Sequence, residues 1–316
     1  MSVTLEYGIP TDKEALQLRL GIARGFFREE GIDLALKIVF GGPEIARAYD
    51  EGVLKIGELG SPPATTAIGR GARFKIVASG VRRRAVQYFV AAPAIGGWND
   101  LRGKTVAALS IGSCSYWFMR EVLQRYGLDP DRDLTIVGLG ERYPHVVDLF
   151  RCGELAGAVL SEPNVSIGEG SGAYRVMLAL TDPAFCPGMQ WGVVVAGPGT
   201  IANEPELVRA VLRGCRKSYR YAAAHPDEWI AFGADYFGIE RATMAKSIER
   251  EMSGLHSDGE IDLRGLQQAI DLQVRLGALK QALHAQDIAD LRFLPAPSSN
   301  TTQRTNTLTP IDALKD

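Results

Sequence analysis

Strand-like and helix-like segments alternate in two successive series along this chain, and extended apolar runs near Gln87 and Trp191 separate them. That pattern constrains the fold more than any single residue does. In the first series, residues 3–7 read as a strand and 13–30 as a helix, with Leu16, Leu20, Ala23 and Phe27 on one stripe. Gly31 is the expected stop of that helix. A strand rich in Ile, Leu and Val follows over 32–40, then Gly41-Gly42-Pro43 turns the chain into a helix ending near Tyr49. Residues 54–59 read as a strand, 62–70 as a helix and 74–78 as a strand. Repetition of this kind implies an α/β fold, a mostly parallel sheet with helices on both faces.

The second series begins after an extended run over 87–92. Strands are expected over 104–109, 134–138, 156–160 and 174–179, with helices over 113–126 and 143–151 and a short one over 162–168. Residues 191–196 read as the path back. After Pro205 helical periodicity dominates, over 206–224, 227–236, 241–252 and 263–276. The first of these places Val208, Val211, Cys215, Tyr219 and Ala222 on one face. The expectation is a two-lobed molecule in which lobe II (89–189) is inserted into lobe I (1–88 and 190–294). The helical C-terminal part is expected to pack back on lobe I. Two chain crossovers between lobes make a hinge, because few residues need to change conformation for the lobes to close. Residues 295–316 are rich in Pro, Ser, Asn and Thr and read as a disordered tail. No repeat of 20–50 residues is visible, which argues against a solenoid.

A length of 316 residues suits this division, since domains commonly run to about 150 residues. With a net charge of -2, the chain offers no reason to expect nucleic acid or an acidic membrane as partner. The Arg82-Arg83-Arg84 triplet reads as a solvated turn. Cys114, Cys152, Cys186 and Cys215 are far apart, with no CxxC pair, and the four histidines show no HExxH spacing. No metal and no cofactor are therefore expected. Cys152 and Cys215 fall among apolar helix positions and read as small core residues. No apolar run reaches the roughly 20 residues of a membrane span. The first residues enter a strand at once, without a basic segment or an apolar core, so no signal peptide is expected. By that reading the chain is cytoplasmic unless a leader has been removed.

Several motifs carry a family resemblance. Gly21-Ile22-Ala23-Arg24-Gly25-Phe26-Phe27-Arg28-Glu29-Glu30-Gly31-Ile32 resembles an Ala-x-Gly-Phe-Phe-x-x-Glu-Gly-Ile helix end. Asp100-Leu101-Arg102-Gly103-Lys104 resembles the Asp-Leu-x-Gly-Lys opening of a second lobe, and Ser110-Ile111-Gly112-Ser113-Cys114-Ser115 resembles the turn after it. Asp258-Gly259-Glu260-Ile261-Asp262 and Leu276-Gly277 are similar to the helical tail. Together they span roughly residues 3–290 and resemble the solute-binding proteins of ABC importers for nitrate, sulfonates, taurine and thiamine precursors. The resemblance implies a type 2 periplasmic-binding-protein fold, a hinged cleft, a small organic or oxyanionic solute, an ABC permease as partner if the chain is exported, and a periplasmic location. The same frame also carries enzymes, a sulfinate desulfinase and a yeast thiamine-pyrimidine synthase among them, so fold does not settle function. The desulfinase-like cysteine position holds Gly8-Ile9 here, and the synthase's dense cysteine cluster is absent.

Ligands in parallel α/β sheets sit beyond the C-terminal ends of strands, where loops lead into helices. Four loops qualify: Gly8-Ile9-Pro10-Thr11, Gly60-Ser61-Pro62-Pro63, Gly112-Ser113-Cys114-Ser115-Tyr116 and Ser161-Glu162-Pro163-Asn164. The third is the first choice for a polar head group. Its glycine lets backbone N–H groups approach closely, and its serines add hydroxyls. It serves equally as a well-capped helix start. Cys114 either shapes the cleft or, in an alternative cytoplasmic enzyme, acts as nucleophile. Glu162 either bonds a ligand or caps a helix. Trp191 either covers a ligand or packs the hinge. Arg142 and Tyr143 reach the cleft rim or stay on the surface. Gly168, Gly170 and Gly172 precede a strand and form no dinucleotide fingerprint. The candidate ligand-binding set is Pro10, Ser61, Pro62, Gly112, Ser113, Cys114, Ser115, Tyr116, Glu162 and Trp191, with no catalytic residue assigned.

Overall fold

Two five-stranded sheets, one per lobe, organise the molecule. The computed structural model describes residues 2–294 apart from 12–14, 81–83, 85, 181–188, 253, 256–258 and 282. Cys186, Arg82, Arg83, Asp258 and the expected tail over 295–316 therefore lie outside the described residues. The first lobe holds β1 (Val3–Ile9), α1 (Leu16–Ala23), β2 (Ile32–Ile38), α2 (Gly42–Asp50), β3 (Ile56–Gly60), α3 (Ser61–Gly69) and β4 (Lys75–Ser79). The second holds β5 (Gln87–Ala91), β6 (Thr105–Ala108), α4 (Cys114–Arg125), β7 (Thr135–Gly138), α5 (Val146–Arg151), β8 (Gly157–Ser161), α6 (Asn164–Gly170) and β9 (Arg175–Ala179). The chain then returns through β10 (Gly192–Ala196) and continues as α7 (Pro198–Asn203), α8 (Pro205–Ala224), α9 (Pro226–Phe237), α10 (Arg241–Met252) and α11 (Leu263–Arg275).

The sheet orders are β2-β1-β3-β10-β4 and β7-β6-β8-β5-β9. β10 runs antiparallel to both its neighbours, and β5 does the same in the other sheet. Each sheet is thus mixed, with a single reversed strand, and in both cases that strand enters from a crossover. Every residue of β5 and β10 is buried, as expected for interior strands covered on both faces. Gln87, assigned to the end of lobe I by sequence, opens β5 and so belongs to the second sheet.

One local expectation changes. The helix over 13–30 ends at Ala23, because Gly25 takes a left-handed conformation at φ 81°. The chain then turns through a 3₁₀ segment, Arg28–Glu30, and brings Phe27 against Gly214 of α8, where an added Cβ would lie 2.5 Å from the Phe27 ring. A continuous helix would carry Phe27 past that seat.

The C-terminal helices do more than return to the first lobe. Val208, Val211, Cys215 and Tyr219 of α8 do pack under the first sheet with Tyr7, Leu5 and Phe27, and Leu266 and Ile270 of α11 join the cluster around α2 and α3. Yet Ala269, on another face of α11, packs in the core of the second lobe with Met119 and Trp191. Arg275 of α11 also reaches Glu121 of α4 at 2.9 Å. From α10, Arg250 bonds Glu162 at 3.1 Å and Glu169 at 2.6 Å, and Lys246 bonds Glu169 at 3.1 Å. These helices strap one lobe to the other. Among the described residues no helix is long and apolar enough to cross a membrane.

Candidate functional site between the lobes

Strand direction places the site. The C-terminal ends of β1, β3 and β6 meet at the interlobe cleft, and the reversed strands β5 and β10 present their N-terminal ends at the same place. The resulting cavity is narrow, with about 40 Å³ of internal space open to a water-sized sphere, and part of it is continuous with solvent. Pro10, Glu58, Gly60, Pro63 and Trp191 line it from the first sheet's side, and Gln87, Leu109, Ser113, Cys114 and Ser115 from the other.

The crossovers behind the cavity are bolted by Gln190, which is fully buried. Its Nε2 donates to Ser79 Oγ at 2.9 Å and to Gly192 O at 2.6 Å, and its Oε1 accepts from Asp262 N at 3.1 Å. Ser61 belongs to this assembly. Its hydroxyl donates to the Gln190 carbonyl, and its N–H donates to Trp191 O at 2.7 Å. The expected Ser61 contact with the cleft is therefore replaced by a tie to the hinge, and Pro62 is buried beside it while Pro63 faces the cavity.

In the loop before α4, Ser113 caps the helix by accepting from Tyr116 N and donates to Ser110 O at 2.6 Å. Ser115 Oγ accepts from Leu109 N at 2.9 Å. Both hydroxyls shape the loop while their residues line the cavity. Cys114 projects across the cleft, where a Cβ at Gly60 would fall on its Sγ. Gly112, at φ 85°, lies close to Pro43 of the opposite lobe, and with Tyr116 it lines a second groove outside the cavity. Trp191 lines the cavity, and its ring packs on Phe118 with centroids 4.9 Å apart.

Glu162 stands apart from the cavity. Its carboxylate accepts from Ser166 N and Ser166 Oγ, both at 3.0 Å, and pairs with Arg250. Such a carboxylate is committed to its own helix start and to the α10 strap. Tyr143 is buried with its hydroxyl against Ser161, and the exposed Arg142 pairs with Glu154 at 2.6 Å.

Two polar side chains of the cavity wall, Glu58 and Gln87, escaped the sequence reading. Glu58, on β3, is 6% exposed, and its Oε1 accepts from Tyr219 Oη at 2.5 Å and Tyr7 Oη at 3.4 Å. Burial first, then the Glu58 charge, holds the Tyr219 and Tyr49 hydroxyls well above the ordinary tyrosine range, so they stay protonated as donors. Gln87 opens β5 with a buried side-chain amide. An acid interrupting the apolar run Ile56-Gly57-Glu58-Leu59 was the available signal for the first. For Gln87 no comparable signal exists, because its place depends on the reversed direction of β5.

The NMT1/THI5-like family model matches residues 15–229. The taurine-binding periplasmic protein of Escherichia coli is 26% identical over 210 residues, covering 65% of this chain and 62% of that protein. The chain thus spans about three-fifths of that curated relative. The alkanesulfonate-binding protein SsuA of Xanthomonas axonopodis, solved bound to MOPS, superposes with a TM-score of 0.74 at 17% identity over 92% of this chain and 98% of that one. The aliphatic sulphonate binding protein SsuA of Escherichia coli gives 0.68 at 16% identity, over 99% and 98%. These similarities establish the periplasmic-binding-protein fold.

Proposed function

The chain belongs to the NMT1/THI5-like family, and from that premise we propose that it is a solute-binding protein that captures a small organic or oxyanionic solute between its lobes for ABC-type uptake. One observation carries the reading: a solvent-connected cavity lined from both lobes, at the strand ends where α/β folds hold ligands. Pro10, Ser113, Cys114, Ser115 and Trp191 form its proposed contact set, joined by Glu58 and Gln87. Contacts made with both lobes at once favour the closed state, so solute and closure are thermodynamically linked. A membrane permease is the partner this role requires. The names of the taurine- and sulfonate-binding relatives support capture over catalysis, and an enzyme using Cys114 as nucleophile is the less favoured reading.

A thermal-shift screen with alkanesulfonates, nitrate, pyrimidines and aromatic acids tests the proposal, with titration calorimetry on each hit. At least one class is expected to raise the melting temperature and to bind with a stoichiometry of about one per chain. A screen in which no compound stabilises the protein would sink it.

A further inference from the structure

Gln87 lines the cavity between the lobes and is only 7% exposed. Among the described residues neither atom of its side-chain amide has a hydrogen-bond partner. Oε1 is shut in, so the atom that meets the cavity is Nε2, a donor. A buried amide with nothing to bond is unfavourable, and native folds seldom keep one without a use. The same lobe supplies a second donor. Ser115 lines the cavity on the first turn of α4, and among the described residues its N–H has no acceptor. The dipole of this twelve-residue helix adds partial positive charge at that end. Across the cleft, the Glu58 carboxylate is directed into its own lobe. Its Oε1 takes the Tyr7 and Tyr219 hydroxyls, and a Cβ added at Gly80 would lie 2.7 Å from its Oε2. Pro10, Pro63 and Leu109 complete the wall with side chains that form no hydrogen bonds. The inner space of about 40 Å³ holds about three water-sized groups, at roughly 10–15 Å³ each. That is room for a head group and not for a whole solute.

We infer that this space seats the solute's head group, and that the head is an oxyanion of two or three oxygens, a carboxylate or a sulfonate, accepting from Gln87 Nε2 and the Ser115 N–H. The body of the solute extends through the part of the cavity that is continuous with solvent. The inference rests on the solute-binding reading above and narrows it. An anionic oxygen accepts several hydrogen bonds at once, and such charge-assisted bonds are the strong ones. An ammonium head would set N–H groups against N–H groups and leave the Gln87 donor unused, a mismatch that selects against it.

Propane-1-sulfonate, butanoate, propane-1-sulfonamide and propylamine share a propyl chain and differ in the head, so calorimetric titration of the four into the wild-type protein isolates the chemistry. One of the two anions is expected to bind at least about tenfold more tightly than the sulfonamide, the scale of one hydrogen bond to a charged group, and propylamine to give no binding heat. The comparison of sulfonate with butanoate tells which anion the site takes. Gln87→Leu should weaken the tighter anion by about tenfold or more, with the circular dichroism spectrum unchanged. If nitrate or an aromatic acid from the wider screen binds instead, the same variant is read on that anion. An anion affinity that Gln87→Leu leaves unchanged would overturn the inference, as would propylamine or the sulfonamide binding as tightly as the anions. Propylamine binding alone is what a reversed Gln87 amide would produce, and then the inference falls while the solute-binding reading stands. The same holds if the wider screen yields only neutral or cationic binders. If no compound of either set binds, both fall.

Discussion

The contact between Gly60 and Cys114 across the cleft gives a sharp test of how the lobes meet. Gly60 sits at φ −70° and ψ 147°, a conformation open to any residue, so Gly60→Ala strains no backbone. Only the new methyl group matters. It would fall on Cys114 Sγ, whereas the next neighbours, Pro63 Cδ and Cγ, lie at ordinary distances of 3.4 and 3.6 Å. Forcing one methyl into a packed contact costs about 1–3 kcal/mol. Cys114→Ala alone removes one nearly buried sulfur and should cost about 1 kcal/mol. In the double variant the new methyl occupies the space of the lost sulfur, so the combined loss should fall below the sum by about 1–2 kcal/mol. Urea unfolding followed by tryptophan fluorescence measures all four corners of the cycle, and small-angle scattering reports whether Gly60→Ala separates the lobes. Losses that add within about 0.5 kcal/mol, with an unchanged radius of gyration in every variant, would refute the claim that this contact joins the lobes.

Other expectations follow from the hinge, the straps and the cysteines. Gln190→Leu removes three side-chain hydrogen bonds, so urea unfolding should show a loss of about 3 kcal/mol; a loss below about 1 kcal/mol would mean the bolt is idle. Arg250→Met removes the ion-pair partner of Glu162 and leaves Glu169 with Lys246 alone, and should cost about 2 kcal/mol at neutral pH. Burial alone would raise the Glu169 pKa, but hydrogen bonds from Arg250 and Lys246 outweigh it and hold the carboxyl below the ordinary 4.5. A depressed carboxyl contributes its stability above the unfolded value and loses it as pH falls through the folded one. The difference between wild type and Arg250→Met should therefore shrink below about pH 4.5, and a gap constant down to pH 3 on acid titration would contradict this. Burial, and then Glu58, push the Cys215 thiol far up, while Cys152 is exposed. In the native protein at pH 8, a thiol reagent should label Cys152 and spare Cys215 until the protein unfolds. Peptide mapping decides it, and rapid native labelling of Cys215 would show that the α8 packing is loose.

The order of elements was legible because apolar periodicity is a local property. The strand series of both lobes, the crossovers near Gln87 and Trp191, and the long amphipathic α8 follow from spacing alone. The direction of β5 and β10 was not, since an all-buried apolar strand reads the same when reversed. That hid Gln87, whose exposure to the cavity depends on β5 starting at the cleft. The Tyr7–Glu58–Tyr219 cluster joins residues 51 and 161 positions apart, and no local pattern announces such a meeting. Ser61 and Glu162 were chosen for sound local reasons, position after a strand and hydrogen-bonding capacity. Their partners, Gln190 and Arg250, come from distant segments and use that capacity elsewhere. The α10 and α11 straps escaped for the same reason, because a helix's second contact face shows only when both neighbours are in place.

The reversed strands have a consequence for how this scaffold can change its guest. β5 and β10 are the strands on which the chain passes between lobes, and they also bring Gln87 and the Trp191–Gly192 segment to the cavity. In the proposed role, the residues that contact the guest are therefore covalently continuous with the crossover strands, and no relay through the lobes is needed between occupancy and closure. The same economy limits retargeting. Substitutions on the loops after β1, β3 or β6 can alter what is held while leaving the pivot alone, whereas a new residue at Gln87 or Trp191 changes recognition and swing together.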